Sequence, residues 1–268
     1  MAEHELYAQH SSATFEVELS KRIASQAAGF LLPHLRPGMN VLDAGCGPGS
    51  ITVGLAAVVA PGEVVGIDIQ LSQVEQARTF AAQRGVTNVR FEASNIYELP
   101  FPDGSFDVAF ANSVLEHLRE PVRALAELRR VLRPSGIAGI RDRDSGGFLM
   151  APVTPLLQEG LSLRERVRQH HGADFTVGRH HRRLLLEAGF MRAEASASID
   201  CAGSPEKTRQ FAAYLKAQFP AYARIALVEG WTDQATLDAI LAEIDAWGER
   251  PDAFQAAPRC EAIGWVSE

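Results

Sequence analysis

The sequence predicts an α/β fold, a parallel sheet with helices on both faces, and three observations carry that expectation. Short apolar runs alternate with helix-like runs from Met39 to Arg141, at the spacing of successive βα units. Glycine and proline punctuate the boundaries between those runs. The chain has 268 residues, 46% of them hydrophobic and 22% charged, which is enough to bury a full core and leaves no signature of disorder or a fibre.

The elements follow in order. Residues 14–32 carry Phe15, Leu19, Ile23, Ala27 and Phe30 at helical spacing, and Pro33 and Pro37–Gly38 end the helix they predict. Residues 39–45 read as a short buried strand, 45–49 as a glycine-rich turn, and Ser50 to Ala60 as a helix closed by Pro61–Gly62. Residues 64–68 form a second strand, and Leu71 to Arg84 a second helix stopped by Gly85. Strands are expected at 89–93 and 106–112, the latter entered through Pro102–Asp103–Gly104. Pro121 to Leu132 is a helix with proline in its first turn, and Pro134–Ser135–Gly136 turns the chain into a strand at 137–141. Beyond that, 142–147 reads as a polar loop, 177–188 as a helix, 190–199 as strand-like, 205–247 as helical and 260–266 as a closing strand.

The most informative stretch is Val41 to Ser50. A glycine-rich turn between strand and helix brings the backbone close to a ligand, because no Cβ stands in the way, and it aims free helix N–H groups at that ligand. Gly45, Gly47 and Gly49 form G-x-G-x-G, which differs from the G-x-G-x-x-G of dinucleotide folds. Asp43 stands just before the turn, where a carboxylate can face an ammonium group. Asp68 ends the second strand, 19 residues beyond Gly49, where it can accept hydrogen bonds from both hydroxyls of a ribose. Two acids at adjacent strand tips are costly to bury unpaired, and a cofactor with a cationic group and a ribose explains them.

These residues also carry a family resemblance. VLDAGCGPGS (41–50), VVGIDIQ (64–70), ELPFPDGSFDVAFANSVLEHL (98–118) and LRRVLRPSG (128–136) together resemble class I S-adenosylmethionine (SAM)-dependent methyltransferases, nearest to the ubiquinone/menaquinone-methyltransferase-like branch. The likeness is dense from about 38 to 142. It implies a Rossmann-like, doubly wound, seven-stranded sheet with the last strand antiparallel, SAM as cofactor, and S-adenosylhomocysteine as product. By resemblance Asp43, Gly45, Gly47 and Gly49 line the methionine part, with Cys46 inside the same loop. Asp68 holds the ribose, Ile69 and Ile96 pack on the adenine, and Asn112 sits beside the methionine moiety. Such proteins often carry an Asp four residues before the L-P-F triplet; here Asn95 stands there, and its amide oxygen can still accept from the adenine amino group.

The implied layout is an N-terminal helical cap segment at 1–37, a SAM-binding core at 38–142, and a remainder at 143–268. The last part holds the final helix and strands (177–199 and 260–266), with helical substrate-cap insertions at 143–175 and 203–258. Phe148, Met150, Phe211, Tyr214, Phe219, Tyr222 and Trp231 are candidates for the pocket lining or for ordinary core.

Methyl transfer from a sulfonium needs the acceptor held in line with the S–CH₃ bond and water kept out. A base is needed only if the accepting atom must lose a proton. His117 is the best candidate because imidazole titrates near neutrality, and Glu116 could orient it or act itself; both could instead flank a short helix. Asp142 and Asp144 could contact substrate or stand in a solvated loop. His170–His171 and His180–His181 are unconvincing as a metal site, and no metal is expected.

The net charge of −7 argues against a general nucleic-acid binder. From Arg119 to Arg192, however, fourteen arginines face eight acids. They form either solvated helix faces or a basic wall beside an anionic substrate. Cys46, Cys201 and Cys260 are scattered, the N-terminus lacks an apolar secretory core, and Ile51 to Ile69 is too interrupted to span a membrane. The expectation is a cytoplasmic enzyme with a small-molecule substrate, no nucleic-acid partner and no integral membrane segment; a homodimer is among the assemblies it allows. Two other readings are a SAM-binding regulatory module without catalysis and a nicotinamide-dependent dehydrogenase.

Overall fold

A computed structural model describes residues 23–267. Five parallel strands build the first part of the sheet: β1 (Val41–Ala44), β2 (Val64–Asp68), β3 (Val89–Ala93), β4 (Phe106–Asn112) and β5 (Leu132–Arg143). The order β3-β2-β1-β4-β5 reverses direction at β1, so the crevice between β1 and β4 is the switch point where ligands bind in open α/β sheets. β8 (Phe254–Trp265) follows β5 and runs antiparallel to it; β7 (Arg192–Ala202) pairs with the other edge of β8, also antiparallel.

The alternation of side chains explains the layering. Leu42, Ala44, Ala109 and Ala111 point to one face, under α4 (Pro121–Val131) and α6 (His181–Glu187). Val41, Val108 and Phe110 point to the other, under α1 (Ala24–Ala27) and α2 (Ser50–Val59). α4 shows why the sequence folds this way: Ala124, Leu125, Leu128 and Val131 form one buried stripe behind a first-turn proline. α3 (Leu71–Gln83) covers β2 and β3 through Val74, Ala77 and Ala81. α5 (Pro155–His170), α7 (Pro205–Val228) and α8 (Gln234–Gly248) have a core of their own, centred on Phe219, Tyr222, Ile240 and Trp247. Side chains of Thr154, Ser204 and Asp233 cap the three N-termini. Among the described residues, no helix is long and apolar enough to cross a membrane.

Several expectations need correction. Among the described residues the sheet has eight strands rather than seven, because β6 (Leu149–Ala151) pairs with the start of β8 beyond the end of β5. β8 begins at Phe254, not residue 260. Pro258 has no N–H to donate, but its carbonyl accepts from the Asp144 N–H at 3.2 Å, and β7 pairs with β8 from Gln255 to Trp265. Pro134–Ser135–Gly136 does not end an element: β5 already starts at Leu132, and the triplet bulges out where the β4 register jumps between Phe106 and Val108. The helical stretch 205–247 is two helices, since Gly230 at φ +66° stops the first. The polar loop at 142–147 is largely ordered, with β5 running to Arg143 and a 3-10 turn at Ser145–Gly147. Of the helix expected at 14–32, residues 14–22 lie outside the described residues; the rest is the one-turn α1 and a 3-10 turn at Leu32–His34.

Candidate functional site

Asp43 is the third residue of β1, with β2 and β4 on either side, and only 2% of it is exposed. The Thr52 hydroxyl donates to its Oδ2 at 2.6 Å. Burial is the largest influence on this carboxyl, and the nearby charge of Asp68 adds to it; against the Thr52 bond they push its pKa up to about 7. The turn that follows requires its glycines: Gly45, Gly47 and Gly49 all have positive φ, and a Cβ on Gly45 would lie 2.4 Å from Val114.

Asp68 closes the turn from the next strand. Its Oδ2 accepts the Gly47 N–H at 3.0 Å and its Oδ1 the Gln70 N–H at 2.9 Å. A carboxylate oxygen can accept more than one bond, so these contacts aim the group without saturating it. Ile69 is 56% exposed beside it. Asn95 and Ile96 follow β3, and the Ser94 N–H binds the Asp68 carbonyl, which brings them to the same edge. Asn95 Oδ1 accepts the Tyr97 N–H at 3.0 Å, and Ile96 packs against the core. Asn112 ends β4 and is buried; its Oδ1 accepts from Arg141 at 3.3 Å. The described residues thus gather Asp43, the glycine turn, Asp68, Asn95, Ile96 and Asn112 along one carboxyl edge.

Further along that edge Glu116 and His117 lie in a 3-10 turn, Leu115–His117. Glu116 is fully buried, 3.2 Å from Arg143 Nε and 3.6 Å from His117 Nε2. Burial opposes its ionisation, but Arg143, then His117, Arg259 and Arg168, hold its pKa below the usual carboxylate range. His117 stands edge-on to Phe175, with ring centres 5.2 Å apart. Neither Asp142 nor Asp144 is solvated: both are buried. Asp142 meets His181 Nε2 at 2.9 Å, and Asp144 is gripped by both Nε and Nη2 of Arg179.

A family model described as a methyltransferase domain matches residues 35–179, more than half of the chain. The protein belongs to the methyltransferase-domain family. It is 35% identical over 205 residues to an uncharacterised methyltransferase of Schizosaccharomyces pombe, covering 72% of each chain. It is 32% identical over 274 residues to a probable methyltransferase, ltbC, of Aspergillus luteorubrus, covering 96% of this chain and 95% of that one. Among solved structures it resembles a SAM-dependent methyltransferase of Aquifex aeolicus, with TM-score 0.52 and 25% identity over 67% of this chain and 88% of the other.

For this methyltransferase, the sequence pointed to the carboxyl edge and missed the residues that brace it. Thr52 looks like an ordinary helix residue; its position in the first turn after the glycines is the one available signal. Ser113, just past β4, has φ +58°, a left-handed conformation rare outside glycine and concentrated at functional edges. Cys46 lies inside the turn but is 7% exposed, and burial raises its thiol pKa, so it is a poor nucleophile. Of the seven candidate lining residues, Phe148, Phe211 and Tyr214 line a cavity, whereas Phe219 and Tyr222 lie in the core of the α5, α7 and α8 cluster and Met150 and Trp231 pack against it. His170 stands edge-on to Trp231 while His181 pairs with Asp142, so the two histidine pairs serve different contacts.

Proposed function

We propose that the protein transfers the methyl group of SAM to a small-molecule acceptor by in-line displacement, releasing S-adenosylhomocysteine. The observation that carries this reading is the buried Asp43 carboxyl, set beside the Asp68-tethered glycine turn and held near neutrality by burial. A carboxyl in that state is completed by a cation. The turn fits the cofactor, since Gly45, Gly47 and Gly49 all hold positive φ and leave the backbone bare of Cβ atoms where it would curve around a ligand. Asp43, Gly45, Cys46, Gly47 and Gly49 would hold the aminocarboxypropyl group, Asp68 the ribose, Ile69, Asn95 and Ile96 the adenine, and Asn112 the methionine side. Bound there, SAM supplies an electrophilic methyl group on a positive sulfur.

The chain's own contribution is placement. β4 and β5 end beside the switch point, and the cap built from 143–175 and 203–258 roofs that edge and excludes water. His117 is the proton acceptor for an acceptor atom that must be deprotonated. Glu116, with no exposed surface, orients His117 and anchors Arg143 rather than meeting substrate. A SAM-binding regulatory module would share the cofactor edge but would not turn SAM over. Membership of a methyltransferase family speaks against the nicotinamide dehydrogenase reading.

Calorimetric titration of the full chain with S-adenosylhomocysteine and with NAD decides the cofactor. Saturation by the first and no heat from the second is expected; the reverse overturns the proposal. SAM consumption across an acceptor panel then separates the enzyme from a module that only binds.

A further inference from the structure

Beside the carboxyl edge, where β5 and β8 meet α5 and α7, the protein encloses a cavity of about 240 Å³. Four arginines line it: Arg143 from the end of β5, Arg164 and Arg168 from successive turns of α5, and Arg259 from β8. Phe148 and Phe211 give it an apolar wall, with rings 6.1 Å apart. Its size suits a metabolite rather than a peptide.

Among the described residues, the acids around it do not balance these charges. Asp200, the carboxylate on the lining, is paired with Arg259 and lies 3.6 Å from Arg141. Glu116 is committed to Arg143 from below. Glu165 comes no nearer than 3.7 Å to Arg168. Arg168 is 1% exposed, its Cζ lies 3.8 Å from the centre of the Phe175 ring, and its Nε reaches the Tyr222 hydroxyl, yet among the described residues Nη1 and Nη2 find no hydrogen-bond partner. Arg164 keeps part of its surface exposed, but among the described residues its buried Nε also has no hydrogen-bond partner. Burial, then the charge of Arg168, pushes the Arg164 guanidinium down to about 9. Buried cations are ordinarily paired, and two guanidinium forks one helical turn apart match the oxygens of a carboxylate or phosphate.

We propose that this cavity anchors an organic oxyanion, the carboxylate or phosphate of the methyl acceptor, between Arg164 and Arg168, with the acceptor's apolar body against Phe148 and Phe211. Part of the arginine-rich stretch is therefore a basic wall rather than a solvated face. The word acceptor rests on the methyl-transfer reading; the anion site rests on the arginines.

The test uses the full chain saturated with S-adenosylhomocysteine and three probes, benzoate, phenyl phosphate and neutral benzamide, followed by ligand-observed NMR. At least one anion is expected to bind about tenfold more tightly than benzamide, and the tighter of the two identifies the headgroup. R164Q and R168Q should each weaken that anion about tenfold while S-adenosylhomocysteine affinity stays within about twofold. Equal binding of benzamide, or anion binding that survives both substitutions, overturns the site. Should the variants fail to fold, the unaltered protein still answers: the anion must shield Arg164 from phenylglyoxal, read by peptide mass, and failure to shield it overturns the proposal. Failure of S-adenosylhomocysteine to bind the unaltered protein refutes the cofactor reading instead, and the probes are then titrated into the chain alone.

Discussion

The two ends of the carboxyl edge are electrostatic opposites. At β1 and β2 the protein concentrates acid around a bare backbone turn: Asp43 is buried and pushed toward neutrality, and Asp68 is tied to Gly47. At β5 and β8 it concentrates guanidinium, with Arg164 and Arg168 short of hydrogen-bond acceptors. On the readings proposed above, one end takes a cation and the other an anion. Glu116 joins them, since it anchors Arg143 on the basic side and sits against His117. Opposed charge at the two ends would orient two such ligands without a dedicated contact for every atom, because each would be repelled from the other's place.

The sharpest way to break this comparison is at the junction. His117→Ala should lower turnover by about a hundredfold on an acceptor that must lose a proton, while S-adenosylhomocysteine affinity stays within about twofold. Steady-state rates and calorimetry check both halves, and an unchanged rate removes the imidazole from the mechanism. Next in size, Asp68→Ala should weaken cofactor binding by about 1–3 kcal/mol, the scale of lost charged hydrogen bonds; unchanged affinity refutes the ribose assignment.

The smallest effect is a proton count at Asp43. With its carboxyl pKa near 7 in the free protein, capture of an ammonium group must expel the bound proton. Calorimetry in buffers of different ionisation heat should show roughly one proton released at pH 6 and roughly a tenth at pH 8. Affinity therefore rises with pH up to about 7 and then levels. The same group is harder to ionise folded than unfolded, so its contribution to stability falls as pH rises from about 4 to about 7. Proton release that does not vary with pH would separate Asp43 from the cation.

The contrast also explains how much of the molecule the sequence disclosed. The acidic end is nearly contiguous, from Asp43 to Asp68, and its glycines are dictated by local backbone geometry, so it reads off the chain directly. The basic end draws on residues 143, 164, 168 and 259, whose convergence depends on how α5 and β8 pack. The sequence showed an excess of arginine there but could not distinguish Arg168, almost wholly buried, from Arg183, which is mostly exposed. Long-range pairing also hid β6, which consists of three residues with partners more than a hundred positions away. The Pro134–Gly136 bulge misled because turn chemistry and bulge chemistry use the same residues.

The placement of β8 has a consequence for assembly. Arg141 on β5 faces Glu261 on β8 across 120 positions of sequence, with the entire cap threaded between them. A chain emerging from the ribosome exposes every element of the glycine turn and its two flanking strands long before the strand that completes the other end exists. Non-local closure of that kind is slow. On the methyl-transfer reading proposed above, the nascent protein owns the parts to recognise a nucleoside well ahead of the parts to recognise what it would modify.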